Sequence, residues 1–111
     1  MINKLQICEE DLVNLKGKYV IQVNDDDHNP FEKQSKGFLL EKRISKVVKY
    51  ESREKSGYLL AGHYYNHSKI LNEKDFVEYF NKCTDGRHYR LLTIKEMKIF
   101  TQWLIEELME V

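Results

Sequence analysis

The segment spanning residues 93–110 constrains the fold most. Thr93 and Glu96 have the spacing of a capping box, in which each side chain accepts a hydrogen bond from the other residue's backbone N–H. Apolar side chains then recur with helical periodicity, and two flanking residues, Ile99 and Trp103, widen the stripe formed by Ile94, Met97, Phe100, Leu104 and Leu108. Because so wide an apolar face must be buried against another layer, the segment predicts a long helix packed on a sheet.

The other periodic segments supply that sheet. Alternating residues predict strands over 4–8, 18–24 and 88–92, and a β-hairpin with arms 38–50 and 57–66. Acidic residues followed by Lys16 and Gly17 predict a short helix after residue 8, and Asn72 is a predicted N-cap of a second main helix. The sequence therefore predicts one α+β domain over residues 1–111, with a small antiparallel sheet of about four to five strands and two main helices packed on one face.

Composition narrows the class of protein. Eighteen basic and 18 acidic residues give zero net charge, which does not indicate a globally basic nucleic-acid binder. No apolar run has the length of a signal peptide or a membrane span, and two cysteines make no disulfide framework. We therefore expect a cytoplasmic protein with no membrane partner.

Known catalytic signatures are absent from the sequence. It contains no Gly-x-Ser-x-Gly elbow, no Walker A loop and no Gly-x-Gly-x-x-Gly fingerprint, and five glycines leave little for a phosphate cradle. Neither cysteine lies in a recognisable nucleophile signature. We expect no cofactor, no catalytic residue and no enzymatic activity.

Four side chains have spacings that resemble a zinc site. His63 and His67 are four residues apart, and Cys83 and His88 are five apart. The order of the pairs is reversed relative to a common zinc finger, and residues four apart in a strand lie roughly 13 Å from each other. The four are weak metal candidates, and the favoured interpretation is surface histidines and a core cysteine.

A polar loop follows the predicted strand 18–24 and begins with Asp25, Asp26 and Asp27. Carboxylates at a strand end are typical ligands of catalytic Mg²⁺, so a metal-dependent enzyme using this loop is one alternative. No supporting motif accompanies the loop, and a solvated turn or a partner-binding loop is favoured.

The middle of the chain is basic, because residues 33–55 carry eight basic and three acidic side chains. On a strand these charges would divide between the two faces, which weakens the interpretation as a nucleic-acid platform. Lysines also protect edge strands from aggregation. The band still supplies candidate partner-binding residues: Lys42, Arg43, Lys46, Lys49, Tyr50, Arg53 and Lys55.

These features favour a small non-enzymatic binding protein that docks on or inhibits a partner macromolecule. A protein partner is favoured, and a nucleic-acid-binding domain using the hairpin 38–65 is the second alternative. Abundant residues with AT-rich codons fit a phage or mobile-element inhibitor of a host nucleic-acid enzyme. The wide apolar face of the C-terminal helix also offers a homodimer interface.

Overall fold

The computed structural model describes residues 6–63, 67–82 and 86–109. Four strands form one antiparallel sheet in the spatial order β3-β2-β1-β4. Their bounds are β1 Tyr19–Asn24, β2 Ile44–Glu51, β3 Ser56–Gly62 and β4 Arg87–Leu91. The predicted α+β class and antiparallel sheet are confirmed.

The predicted strand over residues 4–8 is wrong for its described part, residues 6–8, which lie outside the sheet. The side chain of Asn81 explains why. Its Oδ1 accepts from the Ile7 N–H at 2.8 Å, and its Nδ2 donates to the Ile7 carbonyl at 2.9 Å. Because both backbone groups of Ile7 are bound by a side chain, they are not available to a strand ladder.

Five α-helices complete the described structure, and a 3-10 turn at Glu9–Asp11 precedes the first. Two caps form as predicted: Asn72 accepts from the Asp75 N–H at 2.8 Å, and Thr93 and Glu96 form the reciprocal capping box. No helix among the described residues is long and apolar enough to cross a membrane. The helices are α1 Leu12–Leu15, α2 Pro30–Lys33, α3 Lys36–Lys42, α4 Glu73–Asn81 and α5 Ile94–Met109.

The two main helices lie on opposite faces of the sheet, so the prediction that both pack on one face is wrong. Val20 packs in a cluster with Phe76 and Phe80 of α4, whereas the adjacent Ile21 packs in a second cluster with Phe100 of α5. Successive residues of a strand point to opposite faces. Burial of both Val20 and Ile21 at 0 % exposure therefore requires helical cover on each side.

The predicted first arm of the hairpin, residues 38–50, is wrong over its first part, where α3 forms instead. The Ser35 hydroxyl accepts from the Phe38 N–H at 3.2 Å and caps this helix. Adjacent Leu39 and Leu40 are both buried in the α5-side cluster, which a strand facing one cluster would not permit. The hairpin is therefore β2 with β3, joined by a turn in which Ser52 binds the Lys55 backbone.

Strand β3 stands at the edge of the sheet, although its residues 58–61 are apolar on both faces, which is typical of a central strand. Its outer edge is nevertheless bonded, because Tyr58 exchanges two backbone hydrogen bonds of 2.8 Å with Leu71. A Cβ at Gly57 would lie 2.3 Å from the Leu71 carbonyl oxygen. Gly57 therefore permits this close backbone approach, and it does so without a positive φ.

Helix α5 forms as predicted, but its buried face is rotated from the predicted stripe. Glu96 and Phe100 are buried, and Trp103 stacks on Phe31 with ring centroids 5.3 Å apart. Ile94 and Leu108 instead are 73 % and 77 % exposed. The flank of the predicted stripe thus supplies part of the core contact, and both of its ends face solvent.

Candidate binding surfaces

The loop after β1 brings one of its three aspartates to a histidine of β4. The Asp25 Oδ1 lies 2.7 Å from His88 Nδ1, and the Asp25 N–H donates to the Gly86 carbonyl at 2.7 Å. The His28 Nε2 contacts the Asp25 carbonyl at 2.9 Å, and the His28 and His88 rings lie 5.5 Å apart. Residue pairing between β1 and β4 places Val23 opposite His88, which brings the loop to this point.

A cleft of about 400 Å³ opens beside this cluster. On the other side of the loop, the Arg90 Nη2 donates a hydrogen bond to the His28 carbonyl at 2.6 Å and so fixes the position of the loop. The cleft combines cations with one carboxylate, and its lining includes Gln6, Asp25, His28, Lys82, Arg87 and His88.

The three aspartates of the loop do not converge. Asp27 turns to Lys33, with 3.5 Å between carboxylate oxygen and ammonium nitrogen, and it also accepts from the Asn29 N–H. Asp26 is exposed. No group of three or more His, Cys, Asp or Glu side chains in residues 6–63, 67–82 and 86–109 is arranged to hold a metal ion. The loop can therefore offer separate carboxylates to a partner more readily than a shared metal site.

The histidines predicted as weak metal candidates have separate partners. His63 Nε2 lies 2.6 Å from Glu107 Oε2 of α5, His88 binds Asp25, and His67 Nδ1 contacts the Ser68 carbonyl at 3.0 Å. Cys83 lies outside the described residues. The three described histidines therefore do not form one site.

A buried ion pair that sequence reasoning missed joins β4 to the start of α5. Arg90 donates two hydrogen bonds to the Glu96 carboxylate, at 2.7 and 2.9 Å. Burial alone would raise the pKa of Glu96, but hydrogen bonds from Arg90 and from the Thr93 backbone outweigh burial and hold that pKa below its usual value. Arg90 also donates a hydrogen bond to the His28 carbonyl. The Arg90–Glu96 pair therefore positions the loop that begins with Asp25, Asp26 and Asp27, which we call the acidic loop.

The predicted basic band divides into three parts. Lys42 and Arg43 lie at the end of α3, where Lys42 pairs with Glu41 and the Arg43 guanidinium lies 4.8 Å from the Phe38 ring centroid. Lys49 lies on the α4 side of the sheet, opposite Tyr58. The Lys49 ammonium donates to the Glu51 carboxylate at 3.1 Å, and this hydrogen bond raises the pKa of Lys49. Of the remaining cations, Lys46 lies on the opposite face of the hairpin, and Arg53 and Lys55 lie in the turn between β2 and β3.

The hairpin extends beyond the rest of the sheet. Strand β1 and the residues leading into it bond to β2 only as far as Val47, while β2 and β3 remain paired as far as Glu51 and Ser56. Lys46 thus lies between two strands, which argues against an edge-protecting role for it. The pairing register puts five residues on the α5 side of this arm, which we call the hairpin face: Lys46, Val48, Tyr50, Leu59 and Ala61.

The hairpin face is apolar at its centre and only partly covered. Val48 and Leu59 are directly paired, are half-buried, and belong to neither core cluster. Tyr50 is 40 % exposed. Cover by α5 ends near Phe100, where a depression of about 190 Å³ reaches Lys46 and Ala61. Sequence reasoning identified Lys46 and Tyr50 but missed Val48 and Leu59 as surface, although their alternation with Val47 and Leu60 was the available signal.

Comparisons with known proteins found no matching family model, no matching curated protein and no matching solved structure.

Proposed function

We propose that this chain is a non-enzymatic binding protein whose hairpin face docks on the acidic surface of a partner protein. The observation that carries the proposal is the paired Val48 and Leu59, which lie on a strand face beyond the cover of α5 with Tyr50 beside them. An apolar and aromatic centre bordered by polar groups is the usual anatomy of a protein–protein interface.

The charges around the hairpin face favour a partner protein with an acidic surface. Residues 46–55 carry four basic and two acidic side chains, a net charge of +2. Lys49 and Glu51 neutralise each other, and the described residues provide no ion pair to Arg53 or Lys55 in the turn. A partner that places carboxylates around an apolar patch would complement this border and associate faster at low salt.

A protein partner fits this geometry better than a nucleic acid does. Phosphate tracking needs several cations along one surface, whereas Lys46 is the single cation of the hairpin face and Lys49 points to the opposite side. Lys46 also lies 5.9 Å from the ring centroid of Tyr19. Inhibition of a nucleic-acid enzyme remains a prediction from composition, and the same docking would serve it by occluding that enzyme.

Site-specific photo-crosslinking in cells tests the proposal. A benzoylphenylalanine residue at position 50 is expected to give a discrete adduct with a partner protein. The matched control places the same residue at position 13, because Val13 is 66 % exposed on α1, outside the hairpin face. Mass spectrometry should locate the adduct in a partner segment containing Asp or Glu. Raising the salt concentration during irradiation should lower the yield of the adduct, because salt screens the attraction between the two surfaces.

Two results would contradict the proposal. Equal adducts from positions 50 and 13 would indicate unspecific collisions. A position-50 adduct only with nucleic acid would assign the surface to the alternative partner class.

A further inference from the structure

The outer face of α5 is an apolar surface separate from the hairpin face. Ile94, Leu108 and Met109 are 73 %, 77 % and 80 % exposed, and Ile105 is 44 % exposed. The helix packs on the core through its opposite side, where Phe100 is buried. Isolated exposed apolar residues need no explanation, but an aligned set marks an interaction surface.

The spacing of this outer face matches a helix–helix seam. Residues 94, 98, 101, 105 and 108 alternate four and three residues apart, which is the spacing of the contact positions in a coiled coil. They read Ile, Lys, Thr, Ile and Leu, with apolar residues toward both ends and the small Thr101 at the middle. A shallow groove of about 390 Å³ runs along the same side and is bordered by Leu92 and Met97.

The two ends of the seam are symmetric about Thr101, because Ile94 and Leu108 each lie seven residues from it. Ile105 lies four residues from Thr101 and corresponds to Met97, which borders the groove beside the seam. A twofold axis through Thr101 would therefore place Ile94 against Leu108 of another copy, and the reverse. Such reciprocity is the property of an isologous interface.

We propose that α5 pairs through this face with α5 of a second copy of the chain, in antiparallel orientation. Charge selects the orientation. In a parallel pair, Lys98 would oppose Lys98 of the other copy within the seam. In the antiparallel pair, it lies beside the C-terminal half of the other helix, where the lysines of α5 give way to glutamates.

A second charge pair supports the same register. Lys95 and Glu106 are eleven residues apart, about three helical turns, so they project from the same flank of α5. Antiparallel pairing about Thr101 brings each Lys95 beside Glu106 of the other copy. The Glu106 side chain is 47 % exposed while it contacts Lys36 at 3.3 Å, so it can accept a second cation.

Sedimentation equilibrium of the full chain tests the pairing. We expect a reversible dimer with a dissociation constant below about 1 mM. Leu108→Asp should raise that constant by at least about tenfold, because it places a charge in the seam at a position that is 77 % exposed. Val13→Asp makes a similar change on α1 and should leave the constant unaltered. A monomer at all concentrations, or a dimer insensitive to Leu108→Asp, would overturn the proposal.

Oxidative crosslinking tests the register. Thr101→Cys, on the axis, should form a covalent dimer that reductant reverses, because its two copies face each other. Ile94→Cys should not, since its two copies would lie roughly 21 Å apart along the seam. The wild-type chain controls for the native cysteines. Efficient crosslinking of Ile94→Cys alone would overturn the antiparallel orientation.

Charge exchange separates this interface from the hairpin face. Lys95→Glu should weaken the dimer, and the double variant Lys95→Glu, Glu106→Lys should restore it. These variants should leave the photo-adduct at position 50 unchanged, so failure of the dimer and failure of the proposed function give different results. A double variant weaker than the single one would contradict the Lys95–Glu106 pairing.

Discussion

The two faces of the sheet differ in how completely helices cover them. On the α4 side, Val47 and Leu60 of the hairpin pack with Phe76 in one cluster. On the α5 side, the cluster around Phe100 ends before Val48 and Leu59, although these residues pair as closely as Val47 and Leu60 do. One hairpin thus contributes one face to the core and one to a surface. The difference shows that a partly exposed apolar surface can arise where a covering helix ends, without any special motif.

The largest expected effect tests whether each face has an independent core. Phe76→Ala and Phe100→Ala should each lower the free energy of unfolding by about 3–5 kcal/mol, because each ring is fully buried. Urea unfolding measures both. A cost below about 1 kcal/mol for Phe100→Ala would mean that the α5 side is not a packed core, and the contrast between the faces would then disappear.

The second test concerns the outer edge of β3, where the backbone of Leu71 bonds to the hairpin. Gly57→Ala should cost about 1–3 kcal/mol, since the added Cβ meets the Leu71 carbonyl and displaces the bonded segment. Gly37→Ala is the matched control, because its Cβ would enter open space within α3 and should be stabilising by up to about 1 kcal/mol. Equal effects of the two substitutions in urea unfolding would refute the role assigned to Gly57.

The ion pair between Arg90 and Glu96 gives a third, pH-dependent test of the α5 side. Glu96→Gln should cost about 1–3 kcal/mol at pH 7, because it removes the charge of the buried carboxylate that binds the partly buried Arg90. The folded-state pKa of Glu96 lies below its usual 4.5, so its ionised form stabilises the fold above that value. The advantage of the wild-type chain should therefore shrink as the pH falls below about 4.5 and through the folded-state pKa.

Urea unfolding of the wild-type chain and of Glu96→Gln at several pH values measures how far the stability advantage of the wild-type chain falls. The same variant should loosen the acidic loop, because Arg90 also holds the His28 carbonyl. A difference between the two chains that persists unchanged at pH 2 would rule out the carboxylate as its source.

Sequence reasoning could predict elements whose signals are local. The capping box at Thr93, the N-cap at Asn72 and strand β1 each depend on residues close in sequence, and all three form. The predicted alternation along β1 does not translate into one buried face, because residues 20–23 are all buried. It could also have predicted cover on both faces, because Val20 and Ile21 are adjacent β-branched residues in one strand.

Contacts between distant residues could not be predicted in the same way. The Asn81 side chain binds the backbone of Ile7, which lies 74 residues away in the sequence, and no residue near Ile7 indicates this contact. The acidic loop was identified as a candidate, but its meeting with His88 depends on the pairing of β1 with β4. The predicted arm 38–50 depends on β-forming residues in its later part, such as Ile44 and Val47, and these carry no signal for residues 38–43. Burial of both Leu39 and Leu40 on the α5 side is what distinguishes helix α3 from a strand there.

The smallest expected effect on stability addresses the hairpin face directly. Tyr50→Ser should change the free energy of unfolding by no more than about 0.5 kcal/mol, because the ring is 40 % exposed and packs in neither core cluster. The same substitution should abolish copurification of a partner captured through this surface, since exposed aromatic residues often carry binding energy. Tyr58→Ser, on the opposite face of the hairpin, is the control, and its buried ring should make it costly in urea unfolding. If Tyr50→Ser proved as destabilising as Tyr58→Ser, the hairpin face would belong to the core, and a folded Tyr50→Ser chain that retained its partner would exclude this face from docking.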